Sequence, residues 1–279
     1  MKYHISKIKK LLLLCFIVIG IIIILCVIKN KTTTNFSKMQ FLKVYGSINY
    51  FPEKDNSIML EFITKGNTNV KENEFDFAFD SEDIQADRVT LTKSLAYKGY
   101  QLWCLKFHIL IDTEKEKKTE DLLIQKVSFN QTLYDIGSIA LNIVDANMNN
   151  TEILQLNSCA GASLGKSLAD YYAVLENTEK ENITITDVSV PFFEEAVSQI
   201  TIDDETIVTA GKAIIEPKSL AEVNIDFSKC EKADTQAYYI SPVIHYEIAG
   251  KKYQMFLDYY SSGFNLSKKE LYELGQNFN

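Results

Sequence analysis

The sequence predicts a mainly β protein, built as an N-terminal transmembrane helix, two tandem β-sandwich modules and a short C-terminal helix. Three observations predict it. Residues 11–28, "LLLLCFIVIGIIIILCVI", run without a charge or a strong polar group. Beyond residue 40, apolar residues alternate in short runs rich in Val, Ile, Phe, Tyr and Thr, the period-two pattern of half-buried strands. One order of strand, polar turn and strand then occurs twice along the chain, the mark of an internal repeat.

In order along the chain, residues 1–10 form a basic tail carrying Lys2, Lys7, Lys9 and Lys10. As a helix, residues 11–28 would reach about 27 Å, enough for a bilayer core. A soluble core helix would show a polar face, and this run has none. The following "KNKTTTNFSK" holds no small-residue cleavage site. Bulky Leu14 and Leu25 precede Cys15 and Cys26, where a lipoprotein signal needs a small residue. An uncleaved anchor is expected. The lysine excess before the run places the N-terminus in the cytoplasm and the bulk of the chain outside a cell membrane crossed once. Residues 29–40 are a polar linker, and the stretch 30–40 spans at most about 36 Å.

Residues 41–148 form the first expected module and 149–279 the second, joined at the polar "DANMNNTE" of 145–152. In the first, Phe75, Phe77 and Phe79 alternate with small or polar residues. Trp103, Leu105, Phe107, Ile109 and Ile111 share one strand face. In the second, Ile183 and Ile185 alternate, as do Val223, Ile225 and Phe227. Three segments answer one another in order: "SIMLEFITKGNTNVKENEFDFAF" and "DYYAVLENTEKENITITDVSV"; "YQLWCLKFHILI" and "SLAEVNIDFS"; "LIQKVSFNQTLYDIGSIALNIV" and "YISPVIHYEIAGKKYQMFLDYY". The last pair carries Gly137 and Gly250, read as turn glycines. Each half has about the hundred residues of an immunoglobulin-like sandwich. In "LSKKELYELGQ", Ser267 and Glu270 make a capping box and Gly275 a stop, so a short helix closes the chain. The layout resembles tandem immunoglobulin-like modules on membrane-anchored bacterial surface proteins.

Charge excludes several functions. Five of the 29 basic residues lie within residues 1–29, which leaves 24 basic groups against 37 acidic ones in the remainder. Arg88 is the single arginine. Nucleic-acid binding needs a basic patch and favours Arg forks, so nucleic acid is not an expected partner. No D-x-D-x-D-G calcium loop occurs, and His108 and His245 lack zinc-ligand spacing. No metal or cofactor is expected. Cys104 reads as a small core residue, while Cys159 and Cys230 stand 71 residues apart and could pair.

The stretch "CAGASLGKSLAD", 159–170, matches two active-site patterns. Ala160 to Ser167 resembles a phosphate loop, with Lys166 in the lysine place and "KSLADYYAVLEN" as the helix that should follow. No series of βα units follows, so no nucleotide is expected. Gly161 to Gly165 reads G-x-S-x-G, and Ser163, Asp203 (or Asp204) and His245 follow the order of an α/β-hydrolase triad. That fold needs parallel strands and helices before the serine, where alternation predicts antiparallel strands. The bland reading makes Gly161 and Gly165 turn glycines and Ser163 and Lys166 exposed turn residues. The expected function is non-catalytic binding of a membrane or envelope protein. An extracytoplasmic serine hydrolase using Ser163, His245 and Asp203 is the first alternative, and an accessory subunit of a membrane complex the second.

Overall fold

The computed structural model describes residues 39–66, 76–111, 122–144, 152–162, 170–191, 193, 197–203, 205–206, 212–227, 237–263 and 266–277. The first half forms two facing sheets. One is antiparallel, in the order β1 (Met39–Phe41), β3 (Ser57–Lys65), β6 (Tyr100–Ile111), β5 (Ile84–Tyr97). The other contains β2 (Val44–Tyr50), β8 (Thr132–Ile143), β7 (Leu122–Phe129) and β4 (Phe77–Phe79). In the second half, β9 (Leu154–Ala162), β10 (Asp170–Asn177), β15 (Leu220–Asp226) and β12 (Gln199–Ile202) form one sheet, with β13 (Glu205–Thr206) at its edge. The facing sheet runs β14 (Ala213–Ile215), β11 (Ile183–Ser189), β17 (Val243–Ile248), β18 (Lys251–Phe256). The order β1-β3-β6-β5 is thus repeated as β9-β10-β15-β12, and β4-β7-β8 as β11-β17-β18. Of these strands, β3, β4, β6, β7 and β8 and their counterparts β10, β11, β15, β17 and β18 lie in the segments whose sequences answer one another.

Period-two alternation does what it should. Trp103, Leu105, Phe107, Ile109 and Ile111 point into the first core with Leu60, Phe62, Val127 and Ile139. Ile183, Ile185, Val223, Ile225 and Phe227 point into the second with Tyr171, Ile244 and Tyr246. Burying such side chains stabilises by about 1.5–3 kcal/mol each, before conformational entropy is subtracted.

Two strands bind the halves together. β16 (Ala237–Ile240) and β19 (Tyr260–Ser262) lie beyond the expected junction yet complete the first half's sheet, in the order β19-β16-β2-β8-β7-β4. β16 runs parallel to β2, and β2 parallel to β8, while the other strand pairs among the described residues are antiparallel. All four residues of β16 are buried, because the strand serves both cores: Ala237 and Tyr239 face the first, Tyr238 and Ile240 the second. Tyr45 of β2 likewise turns to the second core, edge-on to Phe193 at 5.4 Å between ring centres.

The parallel strands need glycine at two places. Gly46 and Gly137 have φ of 153° and 100°. A Cβ on Gly46 would meet the Tyr239 backbone, and one on Gly137 the Val44 backbone, each at under 3.0 Å. The seam also satisfies its polar groups. Asn49 Nδ2 donates to Leu257 O at 2.9 Å and Pro242 O at 3.4 Å, and its Oδ1 accepts from Asn142 at 3.0 Å. Among the described residues no strand lies on the outer edge of residues 57–61 of β3. The Tyr239 hydroxyl fills part of that place, accepting from Met59 N at 2.8 Å and donating to Met59 O at 2.6 Å. The Tyr259 hydroxyl donates to Ser57 O.

Helix α1 (Lys268–Gln276) starts with the expected capping box of Ser267 and Glu270. It packs on the first half, where Leu271 meets Leu42, Ile63 and Leu102.

Several expectations are corrected. The N-terminal transmembrane helix is not supported: among the described residues no helix is long and apolar enough to cross a membrane. At nine residues, α1 spans about 14 Å, half a bilayer core. Residues 11–28, which carried that expectation, lie outside the described residues, as do the tail 1–10 and nearly all of the linker 29–40. The single-pass membrane localisation, the cytoplasmic N-terminus and the integral membrane partner are likewise not supported. Gly275 is no stop. It lies inside α1, where the ring of Tyr100 leaves no room for a Cβ, and Asn277 caps the helix. Gly137 lies within β8, while the β7–β8 turn is made by Asn130 and Gln131, at φ of 48° and 64°. Cys104 is half-buried on the outer face of β6, not in the core.

Candidate functional site

The outer face of the β14-β11-β17-β18 sheet carries a hollow of about 730 Å³, lined by Thr186, Asp187, Lys212, His245, Tyr246, Glu247, Lys252, Tyr253 and Gln254. Alternation builds it. Ile244, Tyr246 and Met255 turn into the second core, so His245, Glu247, Lys252 and Gln254 face outward. A β-bulge between Ile185 and Asp187 puts an extra residue into β11, which brings both Thr186 and Asp187 to the hollow. Two lysines and two carboxylates balance its charge.

His245 sits at the centre. Ser189 Oγ lies 3.0 Å from its Nε2 and Gln254 Nε2 lies 3.2 Å from its Nδ1. With the amide nitrogen of Gln254 turned to it, Nδ1 is the acceptor, the arrangement that puts the ring proton on Nε2. Nε2–H then donates to Ser189 Oγ. That is the reverse of an activated serine, whose hydroxyl must donate to the imidazole. Thr186 Oγ1 donates to His245 O at 3.2 Å and further fixes the strand pair.

The residues singled out from sequence do not converge with His245. Ser163, Lys166, Gly165 and Asp204 lie outside the described residues. Asp203 sits at φ 48° in the turn after β12, where its Oδ1 accepts from Glu222 N at 2.8 Å and its own N–H donates to Glu222 O at 2.9 Å. It ties β12 to β15, on the sheet across the core from the one that carries His245. Gly161 is not a turn residue but part of β9, where Tyr260 packs over it and donates a hydrogen bond to its carbonyl at 2.8 Å. Residues 170–177, which a phosphate loop would need as its helix, are strand β10, antiparallel to β9, as the repeat predicts. A nucleophile elbow or a phosphate loop needs a helix there. Cys159 is an exposed free thiol on β9, and Cys230 lies outside the described residues.

Sequence reading missed a second polar cluster, on the outer face of β3 and β6. His108 Nδ1 pairs with Asp55, Ser57 Oγ donates to Asp55 at 3.0 Å, and Arg88 Nη2 lies 3.1 Å from His108 Nδ1. Asp55 accepts from Ser57 Oγ and pairs with His108, so the group anchors the β2–β3 connection. Only the register of β3 against β6, Ser57 opposite His108, reveals it. Among the described residues no group of three His, Cys, Asp or Glu side chains could hold a metal ion.

Fold and site together define a double β-sandwich whose second half presents a polar, charge-balanced hollow. No protein-family model matches the chain, and no curated protein matches it. Among solved structures it is similar to the YadV chaperone, at 10% identity and a TM-score of 0.22 over 79% of this chain and 99% of that one. A protein of unknown function from Porphyromonas gingivalis W83 matches over the same shares at 13% identity and a TM-score of 0.22. The CupB2 chaperone of Pseudomonas aeruginosa matches at 10% identity and a TM-score of 0.18, over 77% of this chain and 98% of its own. Scores this low decide neither fold nor function, which rest on the chain's own residues.

Proposed function

We propose that this protein works by binding a protein partner, without catalysis, through the outer face of the β11–β17–β18 sheet. The observation that carries the reading is the state of His245. Both of its ring nitrogens are engaged by neutral neighbours, Ser189 and Gln254, inside a hollow rich in donors and acceptors. Such a surface recognises and orients, and its proton arrangement does not activate Ser189. The balanced charges of Asp187, Glu247, Lys212 and Lys252 favour a partner with charges of both signs over a bare polyanion.

A photo-reactive phenylalanine at Glu247, in the full chain in its native cell, should cross-link one discrete protein. The same group at Lys106, on the first half, should not. Asp187→Lys should abolish the cross-link at 247 with the fold intact by circular dichroism. Equal cross-linking from both positions would overturn the reading. So would ester or peptide hydrolysis lost in Ser189→Ala or His245→Ala, which would establish the hydrolase instead.

A further inference from the structure

The repeated strand order exposes one difference between the halves. In the first, the outer edge of β8 is filled by a parallel strand, β2, paired from Val44 with Gly137 to Tyr50 with Ile143. In the second, the corresponding edge of β18 has no strand beside it among the described residues. The reason lies at the start of each half. Between β1 and β2 the chain crosses at Leu42–Lys43 from one sheet to the facing one. Its counterpart β9 does not cross, and pairs with β10 from Leu154 to Ala162.

The hairpin sets which backbone groups this leaves outward. Ala249 and Gly250 have φ of 49° and 77°, a type I′ turn. The flanking pair Ile248–Lys251 is then hydrogen-bonded, and so are Tyr246–Tyr253 and Ile244–Met255. The N–H and C=O groups of Lys252 and Gln254 therefore point away from β17.

The other sheet edges are protected, as edge strands usually are. β1, β4, β14 and β19 have three residues each and β13 two. β5 is long but broken by two bulges, and β9 is covered at its end by Tyr260. β18 has six residues, no proline and no bulge.

We propose that the edge of β18 receives an extended segment of the protein partner as an added parallel strand. The inference rests on the binding reading above and names what the partner supplies. The occupant's chemistry is read from β2, which sends Val44, Ile48 and Tyr50 into the first core. The segment carries apolar residues at alternate positions, and main-chain bonds to Lys252 and Gln254 give affinity. Running parallel to β18, it begins at the exposed Lys251 and Lys252 and carries an acidic residue there.

The test uses the full chain and a phage-displayed library of random nonapeptides. Enriched peptides should alternate apolar and polar residues, with an acid near the N-terminus. Gln254→Pro removes an outward N–H that β17 does not use, and should weaken binding of a selected synthetic peptide at least tenfold. Gln254→Ala keeps the N–H and should weaken binding far less than the proline variant does. In the unsubstituted protein, amide exchange at Lys252 and Gln254 should slow on binding, a readout that needs no variant to fold. Unslowed exchange at both amides overturns the inference, as does equal binding by the proline variant or a library without binders. Peptides lost only in His245→Ala would place the contact in the hollow. That result sinks strand addition and leaves the binding function standing. Loss of the cross-link at 247 together with an empty library would remove both.

Discussion

Glu61 carries a consequence that its sequence neighbours conceal. In "SIMLEFITK" it falls on the polar phase of an alternating strand, and such a residue reads as solvated surface. In the fold it is 2% exposed, its Oε2 has no hydrogen-bond partner, and burial raises its carboxyl from an ordinary 4.5 to about 8. At the Ile63 end of this face Leu271 of the helix packs over β3, and at the Met59 end lies the Tyr239 hydroxyl. At pH 7 the folded protein holds this acid protonated while the unfolded chain has released the proton. The acid's stabilising effect is complete below about pH 4.5 and is lost as pH rises toward 8, by up to about 1.4 kcal/mol per pH unit. Glu61→Gln should abolish that slope, leaving the variant more stable than the parent at pH 8–9. Urea midpoints between pH 5 and 9 measure it, and parallel profiles for the two proteins would refute it. Ser189 was equally hidden. His245 stood out as one of three histidines, but only the bulged register of β11 brings a serine to it.

Elements were legible where local chemistry decides them. The capping box fixed the start of α1 by reciprocal bonds between Ser267 and Glu270, and Ser267→Ala should cost about 1 kcal/mol, read as a lower thermal midpoint. Gly137 shows the opposite case. A glycine between two apolar runs reads as a turn, yet the turn used Asn130 and Gln131, both left-handed without glycine. What requires Gly137 is Val44, distant in sequence, whose backbone occupies the space of a side chain. Gly137→Ala should therefore destabilise by about 2–4 kcal/mol through clash and positive φ together. Gly250→Ala, with open space around it, should cost only the left-handed conformation, about 1–2 kcal/mol. Chemical denaturation of the two variants separates these causes; equal losses would show that φ alone matters at both sites.

At the scale of the molecule, the shared strand β16 governs cooperativity. Either half alone would expose one side of residues 237–240, which the intact fold buries on both. The protein should therefore unfold in one calorimetric transition, with calorimetric and van't Hoff enthalpies in agreement. Two resolved transitions would mean that the seam is weak. Asn49→Leu tests the seam directly, because it leaves the buried carbonyls of Pro242 and Leu257 without their Asn49 bonds. A loss of about 3 kcal/mol, or about 6–12 °C in Tm for a chain of this size, is expected. An unchanged Tm would show that the carbonyls find other donors.

Alternation of apolar residues, together with turn and capping chemistry, was enough to determine by sequence alone a mainly β chain, a repeated strand order and a closing helix. Alternation and capping rest on residues two to four positions apart, and the repeat on setting one stretch of the chain beside another, which a reader of the chain can see directly. Which strand completes which sheet, which glycine yields to a backbone, which carboxylate loses its water and which serine meets His245 were decided by tertiary structure. Each depends on residues such as Gly46 and Tyr239, nearly two hundred positions apart, whose meeting is set by packing two cores against one shared strand.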